Sequence, residues 1–485
     1  MKAQSKKATP LTARKKAIRD YGDDIAALRD EWIDRNEAFH AEDMKYLKFL
    51  IPEGARILDL GCGTGRVLAE LQPSQGVGVD LSEEMISIAS AKHPNLTFHV
   101  GDAEKLGSPR KYGGTFDYIL LNDTIGFFDD CETALKELHP FCDANTRIVI
   151  CYYSHLWEPL LSIAEAIGRK MPQPQVNYLG HRDIEGLLKL ADFEPIRTEW
   201  RQLVPFRLFG LGSLINRFVA PLPIIRRLCV RQFVVARSEK KAARRDLSAT
   251  VLVPCRNEKG NIESAVTRMP RFAKDIEIVY VEGNSSDGTY EECVRVQKAY
   301  KDDWDIKVFK QTGRGKGDAV RKGFAEARGD VLMILDADLT MPPEDLPKFY
   351  DAIANGKGEF VNGTRLVYPM ESGAMRFLNY WANRTFAVIF SYLLNQRFTD
   401  TLCGTKVLTR VDYEKLIANR QYFGEFDPFG DFDLIFGAAK LNLKIVEVPI
   451  RYADRTYGEP QISRFRDGMM LLRMVAFAWR KLKAF

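Results

Sequence analysis

Short apolar runs alternate with amphipathic stretches along the first part of the chain. Helical patterns are clearest at 83–92, 131–138 and 183–191, and helix-compatible sequence at 20–50 precedes the first strand-like run. The runs typical of strands occupy residues 56–60, 76–80, 96–100, 116–122, 146–152, 193–200 and 230–237. This alternation predicts an α/β fold in which helices cover both faces of a parallel sheet.

A second series of strand-like runs follows a charged stretch. The runs lie at 249–254, 276–282, 306–310, 331–336 and 359–362. The charged stretch shows no apolar periodicity, and a chain of 485 residues is too long for one ordinary core. We therefore expect a first domain at 1–237, a linker at 238–246 and a second domain at 247–485.

Composition narrows the class of protein without identifying it. Apolar residues make up 46% of the chain and charged residues 28%, which is ordinary for folded domains, and the net charge is only +5. The eight cysteines form no CxxC pair, so reduced thiols and a cytoplasmic location are expected. The sequence shows no signal peptide, and no apolar run approaches the roughly 20 residues that span a bilayer.

The first candidate site is a glycine-rich turn directly behind the first strand-like run. A dinucleotide fingerprint needs a glycine where Arg66 stands, so the spacing argues against a dinucleotide. The residues of the turn are Asp59, Gly61, Gly63 and Gly65. Open α/β sheets bind ligands at the carboxyl ends of their strands, where this chain places Asp80, Asp102, Ala103 and Asn122.

This set resembles the motifs of class I S-adenosylmethionine-dependent methyltransferases over residues 45–155. The resemblance implies a Rossmann-like domain with S-adenosylmethionine as its cofactor. By position, Asp59 and the three glycines would pass along the methionine and ribose. Asp80 would hold the ribose diol, Asp102 with Ala103 the adenine, and Asn122 would border the reactive methyl. The alternative is a Rossmann-like domain whose glycines serve only tight packing.

The methyl acceptor is not readable from the sequence. Methyl transfer needs mainly alignment of the nucleophile, the methyl and the leaving sulfur, together with exclusion of water. A base is required only where the acceptor must lose a proton. Tyr152, Tyr153 and His155 follow the fifth strand-like run, where they are either acceptor-side residues or ordinary packed and surface residues.

The second candidate site is an acidic pair behind the apolar run 331–335. Asp336 and Asp338, separated by Ala337, form a DxD motif, and carboxylates at a strand end suit a divalent cation. Further motifs accompany the pair in order along the chain, at 254–258, 281–289, 315–320 and 363–365.

These motifs resemble family 2 glycosyltransferases, which have the GT-A fold, over nearly all of 247–460. The resemblance implies that Asp336 and Asp338 hold Mg²⁺ or Mn²⁺ against the diphosphate of a nucleotide sugar, with Arg314 and Lys316 adding positive charge. Contacts to the base, ribose and sugar would come from Pro254, Asn257, Glu258, Glu282, Ser285, Asp287 and Ala337. The family often has two adjacent acids where this chain has Glu282 followed by Gly283.

Any general base of the second domain has to be a carboxylate. All six histidines lie at or before His181. Asp431 and Asp433 occupy the region where the family places an acid beside the acceptor, and either could serve. Capping of a helix is the alternative role for Asp431. A lipid phosphate as acceptor would need no strong base, because it already carries negative charge.

Three segments combine apolar residues with arginines, at 206–228, 376–394 and 469–481. Such segments are typical of helices that lie on a membrane surface, although packing on their own domain is the alternative. Residues 400–406, 446–450 and 455–459 resemble the branch of family 2 that glycosylates polyprenyl phosphates, such as dolichol-phosphate mannosyltransferase. The chain departs from that branch at Pro460 and Gln461.

The sequence as a whole predicts a bifunctional enzyme, a methyltransferase fused to an inverting, metal-dependent glycosyltransferase. The expected partners are a nucleotide sugar, a polyprenyl phosphate or other membrane lipid, and the cytoplasmic membrane surface, with no nucleic acid. Two alternatives remain open. Both activities could act on a soluble metabolite or glycan, or the first domain could be a catalytically silent binding module.

Overall fold

The computed structural model describes residues 11–174, 176–244, 246–368, 377–422, 430–455, 457 and 464–484. The side chains of 377–380, 421 and 464–467 are not described. The chain divides into two compact units, Met1–Lys241 and Ala242–Phe485, which we call the N-terminal and C-terminal units. The division falls within 238–246, and Ser238 still belongs to the last strand of the N-terminal unit.

The N-terminal unit is built on a mixed seven-stranded sheet with the order β3-β2-β1-β4-β5-β7-β6. Its strands are β1 (Arg56–Leu60), β2 (Gln75–Asp80), β3 (Thr97–Val100), β4 (Tyr118–Asn122), β5 (Arg147–Tyr153), β6 (Phe193–Arg201) and β7 (Arg231–Ser238). The strands β1 to β5 pair in parallel, whereas β7 runs antiparallel to both β5 and β6. The expectation of a wholly parallel sheet was therefore wrong at this edge, where β7 inserts between β5 and β6.

Helices cover this sheet, and further helices precede its first strand in the chain. The described helices are α1 (Ala13–Ile25), α2 (Arg29–Arg35), α3 (Glu37–Leu50), α4 (Arg66–Glu70), α5 (Glu83–Lys92), α6 (Cys131–Lys136), α7 (Glu158–Ala166), α8 (His181–Leu190) and α9 (Leu211–Phe218). Helix formation thus begins before residue 20. Thr12 caps α1, because its hydroxyl accepts a hydrogen bond from the Lys15 amide. One continuous core joins the inner strands to α6 and α8.

One buried arginine ties three elements of the N-terminal unit together. Arg231, at the start of β7, has a fully buried side chain. Its Nε lies 2.7 Å from Asp43 Oδ2 of α3, and its Nη1 lies 2.5 Å from Asp123 Oδ1 directly after β4. Burial lowers the pKa of Arg231, but Asp123 and Asp43 more than offset this effect and keep the guanidinium charged. Arg231 is therefore the cation that compensates the charge of both carboxylates.

We predict that Arg231→Met destabilises the N-terminal unit by about 3–5 kcal/mol, because it leaves the buried Asp43 carboxylate and the partly exposed Asp123 carboxylate without their cation. Denaturant unfolding of the full chain, followed on the transition that S-adenosylmethionine shifts, measures the loss. The control is Arg207→Met, which removes an ion pair with Glu37 from a side chain that is 71% exposed. A loss below about 1 kcal/mol for Arg231→Met, the scale of a surface pair, would contradict the assigned role.

The C-terminal unit also contains a mixed seven-stranded sheet, ordered β10-β9-β8-β11-β13-β12-β14. Its strands are β8 (Ala249–Cys255), β9 (Ile276–Glu282), β10 (Asp305–Lys310), β11 (Val331–Ile334), β12 (Phe360–Thr364), β13 (Lys406–Thr409) and β14 (Ile445–Pro449). The strand β13 runs antiparallel to β11 and β12. The sequence analysis did not predict β13 as a strand, because it is only four residues long and contains a buried lysine and a threonine.

The described helices of this unit are α10 (Ile262–Thr267), α11 (Thr289–Ala299), α12 (Lys316–Glu326), α13 (Leu346–Ala354), α14 (Phe377–Leu394), α15 (Arg410–Ala418), α16 (Asp431–Lys440) and α17 (Arg464–Leu482). The two later segments with arginines correspond to α14 and to part of α17. Neither these nor any other helix within the described ranges is long and apolar enough to cross a membrane. The main core packs α10, α11 and α13 against the sheet.

Candidate active sites

A cavity of about 920 Å³ lies at the carboxyl ends of the parallel strands of the N-terminal unit. The predicted cofactor residues that line it are Gly61, Gly63, Asp80, Asp102, Ala103 and Asn122. Asp59 and Gly65 do not line it. Asp59 is 2% exposed behind the glycine turn, and Gly65 packs against the Phe98 and His93 side chains. The fold therefore gathers six of the eight predicted residues around one cavity.

The Asp80 carboxylate is held in place across the glycine turn. Its Oδ2 accepts a hydrogen bond from the Gly63 amide at 2.9 Å, and its Oδ1 accepts one from the Ser82 amide at 3.0 Å. Each carboxylate oxygen can accept a second hydrogen bond, so Asp80 can still receive the hydroxyls of a ribose. Burial raises the pKa of Asp80, an effect that these two amides oppose.

The residues behind the turn also suit a cationic ligand. Asp59 Oδ1 and Asn122 Oδ1 are buried and have no hydrogen-bond partner among the described residues. Burial, followed by the neighbouring charge of Asp80, raises the pKa of Asp59 to about 7. A positively charged ligand beside these acids would favour the ionised form of Asp59. Of these two residues only Asn122 lines the cavity, so its Oδ1 could contact the sulfonium or ammonium group of S-adenosylmethionine directly, whereas Asp59 could act only through its charge.

Asp102 already has a cation that the sequence analysis did not assign to it. Lys15 Nζ, on α1, lies 2.6 Å from Asp102 Oδ2 and 3.0 Å from Glu104 Oε1. Burial lowers the pKa of Lys15, but Asp102 and Glu104 outweigh it and raise the pKa overall. An adenine amine would therefore share Asp102 with Lys15. Sequence alone does not show that α1 packs over the strand ends.

The helices α1 to α3 form the wall of the cavity opposite the glycine turn. Their lining side chains include Tyr21, Arg29, Trp32, Phe39 and His40. Arg29 lies directly over the turn, since a Cβ atom at Gly63 would be 2.7 Å from Arg29 Nε. Arg29 makes no ion pair or hydrogen bond through its side chain with any described residue. It is therefore available to a ligand carboxylate.

The acceptor side of the cavity differs from the sequence-based expectation. Of the three residues considered, only Tyr153 lines the cavity, whereas Tyr152 is packed in the core and His155 is exposed outside it. His40 lines the cavity instead. Burial lowers the pKa of His40 to about 4, so the imidazole is neutral at pH 7 and is only a weak base. A single histidine on a helix has no sequence motif, so no pattern could have identified it.

In the C-terminal unit, a lysine and two acids meet where β11 ends and two helices begin. Lys316 Nζ lies 2.6 Å from Asp336 Oδ1 and 3.8 Å from Asp431 Oδ1. Burial opposes the charge on both partners of the close pair, but the carboxylate raises the pKa of Lys316 and the lysine lowers the pKa of Asp336. The structure thus brings Lys316, Asp336 and Asp431 together, as a site for a charged ligand requires.

Asp338 is paired with a different cation. Its Oδ2 lies 2.6 Å from Arg455 Nη2, and the same guanidinium lies 3.2 Å from Glu258 Oε1. Within the described ranges, no group of three or more acidic, histidine or cysteine side chains could hold a metal by itself. Two carboxylates at a strand end nevertheless fit a hard cation whose other ligands are diphosphate oxygens. Such a cation would have to displace Arg455 from Asp338.

The predicted nucleotide-binding residues lie on loops that their own hydrogen bonds hold together. Ser285 Oγ accepts a hydrogen bond from the Asn257 amide at 2.9 Å, and Asp287 accepts one from the Lys259 amide at 3.2 Å. Glu282 accepts a hydrogen bond from the Ser285 amide. Pro254 is half-buried in β8, Ala337 is buried after β11 and Arg314 is exposed before α12. The loops after β8 and β9 therefore form one surface.

The two candidate acids of α16 have different neighbours. Asp431 is 8% exposed and lies near Lys316 and near Lys406, whose Nζ is 3.9 Å away. Asp433 instead lies 3.7 Å from Arg420 and 4.0 Å from Arg321. Gly430, not Asp431, is the N-cap residue of α16, so the capping alternative for Asp431 was wrong. Asp431 shares the neighbour Lys316 with Asp336, and this common neighbour favours Asp431 as the acceptor-side acid.

Another buried ion pair stands near this site and was not recognised from sequence. Asp400 receives two hydrogen bonds from Arg365, at 2.6 and 2.8 Å, and one from Asn383 of α14 at 2.9 Å. Burial raises the pKa of Asp400, but Arg365 outweighs burial and lowers it to about 2. The pair connects the 363–365 motif to α14. Of the later motif at 455–461, only Arg455 and Tyr457 belong to the described residues.

The DxD motif requires a glycine opposite it. A Cβ atom at Gly404 would lie 1.7 Å from Asp336 Oδ2 and 2.6 Å from Lys316 Nζ. We predict that Gly404→Ala displaces Asp336 and lowers sugar-transfer activity at least about 100-fold, the scale of a misplaced catalytic group. Nucleoside diphosphate release measures the loss.

Gly468→Ala is the matched control for this substitution. A Cβ atom there meets nothing within 4 Å, so the activity should be unchanged. Circular dichroism on both variants shows whether the unit is folded. Full activity in folded Gly404→Ala protein would show that the Asp336 position does not matter for the reaction.

Two family models match the chain, one in each unit. The model described as methyltransferase domain matches residues 32–198, and the model described as glycosyl transferase family 2 matches residues 250–417. Dolichol-phosphate mannosyltransferase of Pyrococcus furiosus is 36% identical over 25% of this chain and 34% of its own length. The enzyme of the same name from Saccharomyces cerevisiae is 38% identical over 24% of this chain and 44% of its own length. The chain thus spans less than half of these curated relatives.

Solved structures resemble each unit. A methyltransferase from Thermotoga maritima, described as a possible histamine N-methyltransferase, covers 45% of this chain and 99% of its own at 20% identity and a TM-score of 0.36. Glucosyl-3-phosphoglycerate synthase from Mycobacterium tuberculosis covers 49% and 80% at 16% identity and a TM-score of 0.35. Neither likeness bears on the activity of this chain.

The fold, the strand-end sites and the family matches define a transferase with two different domains. The N-terminal unit carries a methyltransferase domain, and the C-terminal unit carries a family 2 glycosyltransferase domain. The two resemblances found from sequence are therefore confirmed.

Proposed function

We propose that this chain is a bifunctional enzyme that transfers a methyl group from S-adenosylmethionine and a sugar from a nucleotide sugar. The sugar acceptor is a polyprenyl phosphate at a membrane surface. The observation that carries the proposal is the meeting of Lys316, Asp336 and Asp431 at one strand end, in a unit that also matches the family 2 glycosyltransferases.

Sugar transfer requires stabilisation of a leaving nucleoside diphosphate. A divalent cation bound by Asp336 and Asp338 would supply positive charge for the diphosphate oxygens. Lys316 adds a second positive charge, and its position is fixed because α12 begins at this residue. The acceptor phosphate attacks the anomeric carbon on the face opposite the leaving group, which inverts its configuration. Asp431, whose Oδ1 lies 3.8 Å from Lys316 Nζ, would orient that acceptor.

The lipid acceptor is supported by the relatives and by exposed apolar helices. Both curated relatives are dolichol-phosphate mannosyltransferases, although the match covers only part of each. On α14, Trp381 is 55% and Val388 68% exposed, and on α17 Met469 is 57% exposed. Apolar side chains on helices that also carry arginines suit peripheral association with an anionic membrane surface.

Methyl transfer in the N-terminal unit needs chiefly a bound and oriented donor. Asp80 would orient the ribose, and Arg29 would hold the carboxylate of the methionine. Asn122, at the end of β4, would border the methyl group. His40 is the candidate proton acceptor on the opposite wall, because it is neutral and lines the cavity. The helices α1 to α3, which form one wall of the cavity, would help to exclude water from the reaction.

Two substitutions should separate the activities. Asp338→Asn removes a metal ligand, so it should abolish nucleoside diphosphate release in the presence of Mn²⁺ while leaving the dissociation constant for S-adenosylmethionine unchanged. Asp80→Ala should weaken S-adenosylmethionine binding by roughly 1–3 kcal/mol, the scale of hydrogen bonds to a charged group, and leave sugar transfer intact. Isothermal titration calorimetry and a nucleotide-release assay measure the two effects.

Each variant is the control for the other, and Asp351→Asn on the exposed face of α13 tests for a general effect of lost charge. Retained sugar transfer in Asp338→Asn would remove the metal assignment. Unchanged S-adenosylmethionine affinity in Asp80→Ala would remove the ribose assignment. These two assignments therefore fail or survive independently.

A further inference from the structure

The helix α9 in the N-terminal unit exposes three large apolar side chains and buries one polar side chain. Leu211, Leu214 and Phe218, which share one helix face, are 60%, 53% and 43% exposed. The opposite face buries Asn216, whose side chain accepts a hydrogen bond from the Val204 amide and donates one to the Val204 carbonyl, at 2.9 and 2.8 Å. A surface helix normally has the reverse arrangement. This face therefore suits contact with an apolar medium.

A second exposed apolar stripe lies on and just after α7. Leu160, Ile163 and Ile167 follow one another at helical spacing and are 54%, 57% and 66% exposed. The turn before α7 is fixed beside the end of the 206–228 segment, because the Trp157 indole donates a hydrogen bond of 2.7 Å to the Leu228 carbonyl. The two exposed stripes therefore belong to neighbouring parts of one unit.

The methyltransferase cavity opens through these residues. Leu160, Ile167 and Phe206 all line the cavity, and each is more than half exposed. Its inner end, by contrast, is lined by the glycine turn and by Asp80 and Asn122. The cavity therefore has a polar inner end and an apolar mouth. A small water-soluble acceptor would gain nothing from a mouth of this kind, since exposed apolar area is costly in water.

The charge around the mouth indicates which apolar medium it meets. Residues 206–228 include Arg207, Arg217, Arg226 and Arg227 and no acidic residue. The nearest acids on α7 are Glu158 and Glu165, and Glu165 is paired with Lys170. Arginines beside exposed leucines and phenylalanines match the headgroups and acyl chains of an anionic lipid surface.

We propose that the methyl acceptor is an amphipathic membrane lipid. Its polar head reaches the Asn122 end of the cavity, and its chain leaves between Leu160, Ile167 and Phe206 into the membrane. This inference rests on the proposed methyl transfer and names the acceptor class for it. A hydroxyl oxygen of the lipid head forms a bond to the methyl carbon while the carbon–sulfur bond breaks. The electron pair stays on sulfur, and the acceptor proton passes to the imidazole of His40.

Photolabelling of the full chain tests the inference. The probe is a phosphatidylglycerol with a diazirine on one acyl chain close to the glycerol, in phosphatidylcholine vesicles and with S-adenosylmethionine present. After irradiation, mass spectrometry of the digested protein locates the labelled residues. We expect label on α7, on 206–218 and at the three mouth residues. The triple variant Leu211→Ser, Leu214→Ser, Phe218→Ser should lower the label at the mouth about tenfold.

Leu190→Ser is the matched control, because Leu190 on α8 is 62% exposed and does not line the cavity. It should leave the labelling unchanged. Absence of label at the mouth, or equal labelling of the triple variant, would overturn the lipid acceptor and favour a soluble one. Calorimetric S-adenosylmethionine binding in the same preparation keeps the two proposals apart. Loss of that binding would refute methyl transfer itself, whereas intact binding without label refutes only the acceptor class.

Discussion

Both units place carboxylates at strand ends, and in each unit some of these acids are paired with a cation. The chain supplies the cations from elsewhere in the same unit. Lys15 pairs with Asp102, Lys316 with Asp336 and Arg455 with Asp338. A partly buried charge is tolerated only when it is paired, so these pairs maintain the sites without ligand. Ligand binding then becomes an exchange of partners, in which incoming cations or hydrogen-bond donors compete with lysine and arginine side chains.

Because ligand binding is an exchange of partners, it requires different changes at the two sites. At the methyltransferase site, Asp80 is held by backbone amides and keeps free lone pairs, so a ribose adds to an existing arrangement. At the glycosyltransferase site, a metal bound by Asp338 would have to displace Arg455, whose guanidinium lies 2.6 Å from this carboxylate. The cost of displacement would be offset by the charge that the nucleotide sugar brings. A nucleotide sugar and a metal should therefore bind more tightly together than either does alone.

Sequence predicts the parts of this structure that are local. The glycine turn, the DxD motif and most strands have signals within a few neighbouring residues, and the family matches confirm both domains. The antiparallel direction of β7 and the strands β13 and β14 were not predicted, because strand direction and short strands with polar residues depend on distant partners. Lys15 and His40 belong to helices that pack over the cavity, and their roles arise only from that packing. The assignments of single site residues remain predictions.

We propose that the C-terminal unit glycosylates a lipid phosphate. The most direct test is to measure nucleoside diphosphate release by the purified full chain with Mn²⁺ and a panel of nucleotide sugars, with and without a short-chain polyprenyl phosphate. We expect release from one nucleotide sugar, and we expect this release to depend on the lipid. Release that is the same without the lipid, or no release from any nucleotide sugar, would contradict it.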